Sequence, residues 1–258
     1  MNVRSFLPLL LLSAAGCASL RTTRPTTSNA ALSVASQYWF RGTPRSTKPV
    51  AQGSAALSVP LREGTFDFTT WGNINLGTDT GDGAFRDGNG GEFSQIDLIA
   101  SHGRSIGPYD VTGGVISYNY PNLVGRSTHE AYVAVSSDAW NLSHKVGFYY
   151  DFDSAKDFYL SYEILRCVGL ESGWELDLSA LLGLMSKDQA ELYFGQDDAG
   201  FSDLSATAKL SRSLDEVSSI FFSLSAITVP DSSLNEALDD AGLDDTGLWF
   251  TVGAAWSL

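Results

Sequence analysis

Thr65-Phe66-Asp67-Phe68-Thr69-Thr70-Trp71-Gly72-Asn73-Ile74-Asn75-Leu76 alternates without a break. Phe66, Phe68, Thr70, Gly72, Ile74 and Leu76 fall on one face, and Thr65, Asp67, Thr69, Trp71, Asn73 and Asn75 on the other. Side chains of a strand point alternately to its two faces, so this stretch is a strand with one apolar and one wet side. Working outward, the same period recurs in Leu32–Arg41, Val50–Val59, Phe93–Gly103, Tyr109–Tyr120, His129–Ser137, Trp140–Tyr150, Asp157–Val168, Trp174–Met185, Phe201–Ser211, Val217–Thr228 and Gly247–Leu258. Twelve segments result, most of them as long as the roughly 9–11 residues a tilted strand needs to cross a bilayer.

The connections alternate between short and long. Pro60–Gly64, Arg104–Pro108, Asp138, Gly169–Gly173 and Arg212–Glu216 are tight, and the others are longer. Short turns on one side and long loops on the other are the pattern of a transmembrane barrel. The expected fold is therefore all-β: an up-and-down antiparallel barrel of about twelve strands, with both termini on the periplasmic, short-turn side. Aromatics near strand ends read as two interfacial belts. Trp39, Tyr118, Tyr120, Tyr149, Tyr150, Phe158, Tyr159 and Trp249 would form one, and Phe66, Tyr109, Trp140, Trp174 and Trp256 the other.

Composition agrees. The 258 residues hold 16 Lys+Arg against 30 Asp+Glu, a net charge of −14, which excludes nucleic acid as a natural partner. Charged residues make up 18%, below the roughly 25% of an average soluble domain. Cys17 and Cys167 are too few for a disulfide framework or a cysteine-rich metal site, and Cys167 reads as a small apolar filler.

Residues 1–17 read as a signal peptide: Arg4, an apolar Phe6–Leu12 core and a small-residue cleavage zone. Ala14-Ala15-Gly16-Cys17 is also a candidate lipobox, making Cys17 a candidate lipidation site with Ala18 favouring outer-membrane sorting. Residues 18–30 read as a flexible Thr/Ser/Arg linker and residues 31–258 as the barrel. The end, Thr251-Val252-Gly253-Ala254-Ala255-Trp256-Ser257-Leu258, resembles the β-signal by which the barrel assembly machinery recognises its clients, with Leu258 in place of the final aromatic.

Ser36-Gln37-Tyr38-Trp39-Phe40-Arg41-Gly42, Gln95-Ile96-Asp97-Leu98-Ile99-Ala100, and Tyr109-Asp110-Val111 followed by Tyr118-Asn119-Tyr120-Pro121 resemble, in this order, motifs of the TorF-type porins. The resemblance implies an outer-membrane barrel and passive transport, and it carries over no catalytic residue.

With polar faces inward, the lumen would display Asp67, Asp97, Asp110, Glu130, Glu163, Glu175, Asp177 and Asp203 against Arg41, Lys145 and Lys209. Carboxylate-lined pores favour cations. The expectation is a narrow channel for small cationic or neutral solutes, embedded in outer-membrane lipid, with no cofactor and no enzymatic activity. The other reading is a non-conducting barrel that anchors or scaffolds a periplasmic or surface protein. His144 shares an outward register with Trp140, Leu142, Val146 and Phe148, which invites comparison with twelve-stranded outer-membrane phospholipases and their Ser-His-Asn site, but no outward serine is evident beside it. The long loops carry Asp79, Asp82, Asp87 and Glu92; Asp188, Glu191, Asp197 and Asp198; and Asp231, Glu236, Asp239, Asp240, Asp244 and Asp245, an acidic rim without the order of an EF-hand. Ser233-Leu234-Asn235-Glu236 reads as a capping box opening a loop helix that stops at Gly242.

Overall fold

The computed structural model describes residues 26–78, 89–123 and 127–258. The signal peptide, Cys17 and the acids Asp79, Asp82 and Asp87 lie outside the described residues. Twelve strands form the wall: β1 (Thr27–Ala35), β4 (Val50–Leu61), β5 (Gly64–Asn75), β6 (Phe93–Ile106), β7 (Tyr109–Asn119), β8 (Thr128–Ala139), β9 (Leu142–Asp151), β10 (Phe158–Gly169), β11 (Trp174–Met185), β12 (Gly200–Ser213), β13 (Ser218–Thr228) and β14 (Thr246–Ser257). Each pairs antiparallel with its neighbours, and β1 pairs with both β4 and β14 to close the barrel. Closure leaves no unpaired sheet edge, the condition for strands to cross lipid.

Alternation assigns the two faces. In β5, Thr65, Asp67, Thr69, Trp71, Asn73 and Asn75 are buried in the lumen while Phe66 and Phe68 are exposed outside. Phe148, Leu178, Leu204, Phe222, Leu224 and Phe250 likewise stand exposed on the outer wall. A continuous apolar exterior of this extent is stable only in hydrocarbon, so the protein is a barrel of the outer membrane.

The ends match the expected asymmetry. On the short-turn side, Trp140 and Asn141 both adopt positive φ, +52° and +61°, the geometry of a two-residue type I′ hairpin turn between β8 and β9. Trp140 is 88% exposed there, and Tyr109, Phe66 and Trp256 accompany it on the outside. The first expected strand differs. The wall strand β1 starts at Thr27, inside the expected linker, and ends at Ala35, after which the chain turns inward as a separate hairpin of β2 (Tyr38–Phe40) and β3 (Thr43–Ser46). Every residue of β2 and β3 is buried. Arg41 and Gly42, at φ +48° and +84°, form its turn.

Two helices sit in the long loops: α1 (Lys187–Phe194) and α2 (Ser232–Asp240). The loop helix expected after Ser233 is α2, but its cap is Asp231, whose carboxylate accepts from the Ser233 and Leu234 N–H groups. Leu234, Ala237 and Leu238 form its buried face, and the chain leaves it through Gly242 at φ +67°.

Candidate functional site

The lumen divides into two zones. Toward the short turns, the wall carries charged residues spaced by small hydroxyl side chains. Lys145 Nζ of β9 lies 3.7 Å from Glu163 of β10, and Lys209 Nζ of β12 lies 3.8 Å from Asp177 of β11. Both pairs sit opposite each other across a ladder, as the registers Lys145↔Glu163 and Asp177↔Lys209 require. Asp67 accepts from the Ser58 hydroxyl and Asp110 from the Ser105 hydroxyl. Glu175 shares the inward parity of Asp177. Cys167, read from the sequence as a small apolar filler, pairs across the ladder with Asp177 on this same inward, charged face.

Toward the long loops, the hairpin fills the lumen. Its side chains reach inward-facing residues all round the wall. Tyr38 Oη donates to Gln95 Oε1 of β6 at 2.9 Å, and its ring packs on Trp71 of β5. Gln95 in turn donates to both carboxylate oxygens of Asp97. Phe40 packs edge-on against Tyr118 of β7. A side chain at Gly42 would overlap the backbone of Ser202 in β12, and one at Gly247 of β14 would meet the Trp39 ring at 2.5 Å. The hairpin therefore sits inside the barrel between opposite walls, and α1 packs on it, with Tyr193 against Phe40 and Arg45.

Arg41 occupies the centre. Its Nη1 and Nη2 donate to Glu130 Oε1 and Oε2 of β8 at 2.6 and 2.7 Å, a bidentate pair. Tyr118 Oη donates to the same carboxylate at 3.1 Å. The guanidinium carbon stands 4.2 Å from the Tyr159 ring centroid, 5.0 Å from Phe40, 5.2 Å from Tyr149 and 5.9 Å from Tyr118. Behind it, Tyr159 Oη donates to Asp203, which also accepts from Ser202. Gly183 makes room for this: a Cβ there would overlap both Asp203 and the Tyr159 hydroxyl.

The residues expected to line a pore are thus placed as follows. Asp67, Asp110, Lys145, Glu163, Glu175, Asp177 and Lys209 lie in the short-turn zone; Asp97, Glu130 and Asp203 surround the hairpin. Arg41 is inside, but on the hairpin instead of a wall strand. The long-loop aromatic belt is corrected: Trp39, Tyr118, Tyr120, Tyr149 and Tyr159 are buried in the lumen, Phe158 and Trp249 are half-buried, and Tyr150, 40% exposed, faces the membrane. The three wall-strand tyrosines point inward because they share parity with lumen charges on their own strands, Tyr118 with Asp110, Tyr149 with Lys145 and Tyr159 with Glu163. That even spacing was the available signal. Arg45 and Asp151 are lumen residues that sequence reasoning did not single out, and Tyr38 and Gln95 entered it only as parts of the family motifs; Asp151 accepts from Thr128 at 2.7 Å.

Outside the lumen, His144 faces the membrane. Its Nδ1 lies 2.8 Å from Tyr162 Oη and its Nε2 3.3 Å from the Ala139 carbonyl. Ser137 is its cross-strand neighbour, so an outward serine does stand beside it, but both ring nitrogens are engaged elsewhere. In the long loops, Asp188, Glu191 and Asp197 bring their carboxylates within 4.8 Å of one another, all exposed, and Lys187 Nζ bonds Asp197 at 2.9 Å. The hydrogen bond from Lys187 to Asp197 holds its ammonium pKa above the usual lysine value.

The closed barrel wall has counterparts among solved structures. No family model and no curated protein matches this chain. Among solved structures, the COG4313 outer membrane channel from Pseudomonas putida F1 superposes with a TM-score of 0.54 at 9% identity, covering 90% of this chain and 95% of that one. The fold is that of outer-membrane porins and channels. The NanC porin (TM-score 0.51, 10% identity, 91% of this chain and 100% of that one) and the KdgM porin in complex with disordered oligogalacturonate (0.51, 10%, 90% and 99%) are similar to it as well.

Proposed function

We propose that the protein is a porin-like channel for small solutes that prefers cationic or neutral ones. The carrying observation is the charge of the inward face. Its carboxylates include Asp67, Asp97, Asp110, Glu130, Asp151, Glu163, Glu175, Asp177 and Asp203, against Arg41, Arg45, Lys145 and Lys209 among the described residues. Three of these acids are offset by direct pairs, and the remaining negative field lowers the energy of an entering cation and raises that of an anion. This polarity does not favour an acidic saccharide such as the oligogalacturonate bound by the KdgM porin. The similarity to TorF-type porins supports the channel reading and brings no catalytic residue.

A non-conducting barrel that serves as an anchor or scaffold is the second reading, favoured by the buried hairpin across the long-loop half. Single-channel recording of the refolded protein in a planar bilayer decides between them. Discrete steps with K⁺ preferred over Cl⁻ across a KCl gradient are expected; a folded barrel without conductance supports the scaffold, and anion preference overturns the charge reading. We further propose lipid attachment at Cys17, tested by globomycin sensitivity of processing, and delivery to the barrel assembly machinery through β14.

A further inference from the structure

The seat around Arg41 is built almost wholly by the wall. Tyr118, Glu130, Tyr149 and Tyr159 come from four consecutive strands, β7 to β10, each held in register by ladder hydrogen bonds to its neighbours. The guanidinium and the Phe40 ring beside it come from the hairpin. The hairpin that delivers them forms a two-stranded sheet of its own and is not hydrogen-bonded into the wall ladder.

The turn residue is itself unexpected. A type I′ turn puts both central residues at positive φ, where Asn, Asp or Gly is favoured. Arginine at φ +48° carries a steric cost that an asparagine would largely avoid. An arginine at this tip is explained by what its side chain reaches. What it reaches is a planar-cation receptor: a carboxylate presented edge-on to two Nη groups, braced by the Tyr118 hydroxyl, with the rings of three wall tyrosines, Tyr118, Tyr149 and Tyr159, around it.

We propose that Glu130, Tyr118, Tyr149 and Tyr159 form a guanidinium-binding site on the channel wall, that Arg41 is its tethered resident, and that a solute bearing a guanidinium group competes with the hairpin for the same seat. This rests on the channel reading for its physiological solute, but not for the site. A compact ammonium cannot reproduce the bidentate contact, so the site discriminates by shape as well as charge. Competition gives the hairpin a role: an occupied seat leaves Arg41, and with it the tip of the hairpin, without its anchor.

The test is chemical rescue. Arg41→Asn empties the seat while suiting the turn, and methylguanidinium chloride is the probe, with methylammonium chloride at equal ionic strength as control. The readout is the heat-modifiable unfolding midpoint in detergent, which does not depend on conductance. A saturable rise with methylguanidinium is expected, with affinity about tenfold or more weaker for methylammonium and for the double variant Arg41→Asn/Glu130→Gln. No saturable rise, or an equal rise with methylammonium or in the double variant, overturns the proposal. If Arg41→Asn does not refold alone, refolding in methylguanidinium is the same test: recovered barrel supports the site and no recovery overturns it. A barrel that shows the rise but carries no current would overturn the channel reading and leave the site standing.

Discussion

Arg41 and Glu130, 89 residues apart in sequence, meet in the centre of the barrel through two parallel hydrogen bonds of 2.6 and 2.7 Å, with both side chains almost fully shielded from solvent. A buried ion pair adds little net stability over an apolar replacement, because both ions lose hydration. Removing one partner is a different matter and costs about 3–5 kcal/mol, since the other charge stays buried. Glu130→Ala is therefore expected to lower the unfolding midpoint much more than Glu130→Ala combined with Arg41→Asn. A thermal double-mutant cycle checks this, and additive losses would contradict the pairing.

Selectivity should follow Asp67 and Asp110 in the short-turn zone. Asp67→Asn with Asp110→Asn removes two lumen-facing charges that, among the described residues, are bonded to serine hydroxyls and not to a cation. The reversal potential across a KCl gradient should shift toward the Cl⁻ side, while the fold, read by heat modifiability, stays intact. Lys209→Gln should shift it the opposite way by freeing Asp177.

Gly183 is a packing determinant of the Arg41 seat. Gly183→Val puts a branched side chain where Asp203 and the Tyr159 hydroxyl stand. Overpacking of this kind costs about 1–3 kcal/mol, and the displaced Tyr159 ring lies next to Arg41. The expected result is a lower midpoint, whereas Gly169→Val, with no heavy atom near its Cβ position, should leave the midpoint nearly unchanged.

The cap of α2 can be removed by one substitution that leaves the β12 contact of the Asp231 backbone in place. Asp231→Ala deletes the acceptor for the Ser233 and Leu234 N–H groups and should weaken the helix by about 1 kcal/mol. Faster amide exchange confined to residues 232–240, with unchanged exchange in β13, is the expected outcome by mass spectrometry.

The β12–β13 turn should show a defined acid limit. Asp215 accepts from the Ser218 hydroxyl and from the Val217 and Ser218 N–H groups, which hold its pKa below the ordinary 3.8. A depressed folded-state pKa means that the contribution to stability is complete above the unfolded value and fades as pH falls through the folded one. Protease nicking of this turn should be constant from neutral pH down to about pH 5 and should rise only under stronger acid. In Asp215→Asn the acid-dependent rise should disappear.

How far the sequence reaches can be judged from β5 and the hairpin. In Thr65–Asn75 the period of two fixes which side chains see lipid and which see the lumen, because consecutive Cβ atoms must point oppositely whatever the strand packs against. The inward placement of Asp67, Glu130, Lys145, Asp177 and Lys209 follows by the same rule. The aromatics near the long loops were legible only in part: a tyrosine near a strand end looks alike whether it meets a headgroup or a buried arginine, and the deciding clue is its even spacing from a lumen charge on the same strand.

The sequence by itself determined an outer-membrane barrel: strand number, the short-turn and long-loop ends and the two faces are local properties, set by periodicity and turn chemistry. Tertiary structure alone decided that residues 38–46 leave the wall and fill the lumen. Leu32–Arg41 reads in the sequence as one strand, and what pulls its second half inward is a set of partners, Gln95, Glu130, Tyr149 and Tyr159, that only barrel closure brings to one point. Buried charges and polar rings take the conformation that pairs them, and that pairing is a property of the closed wall, not of any one strand.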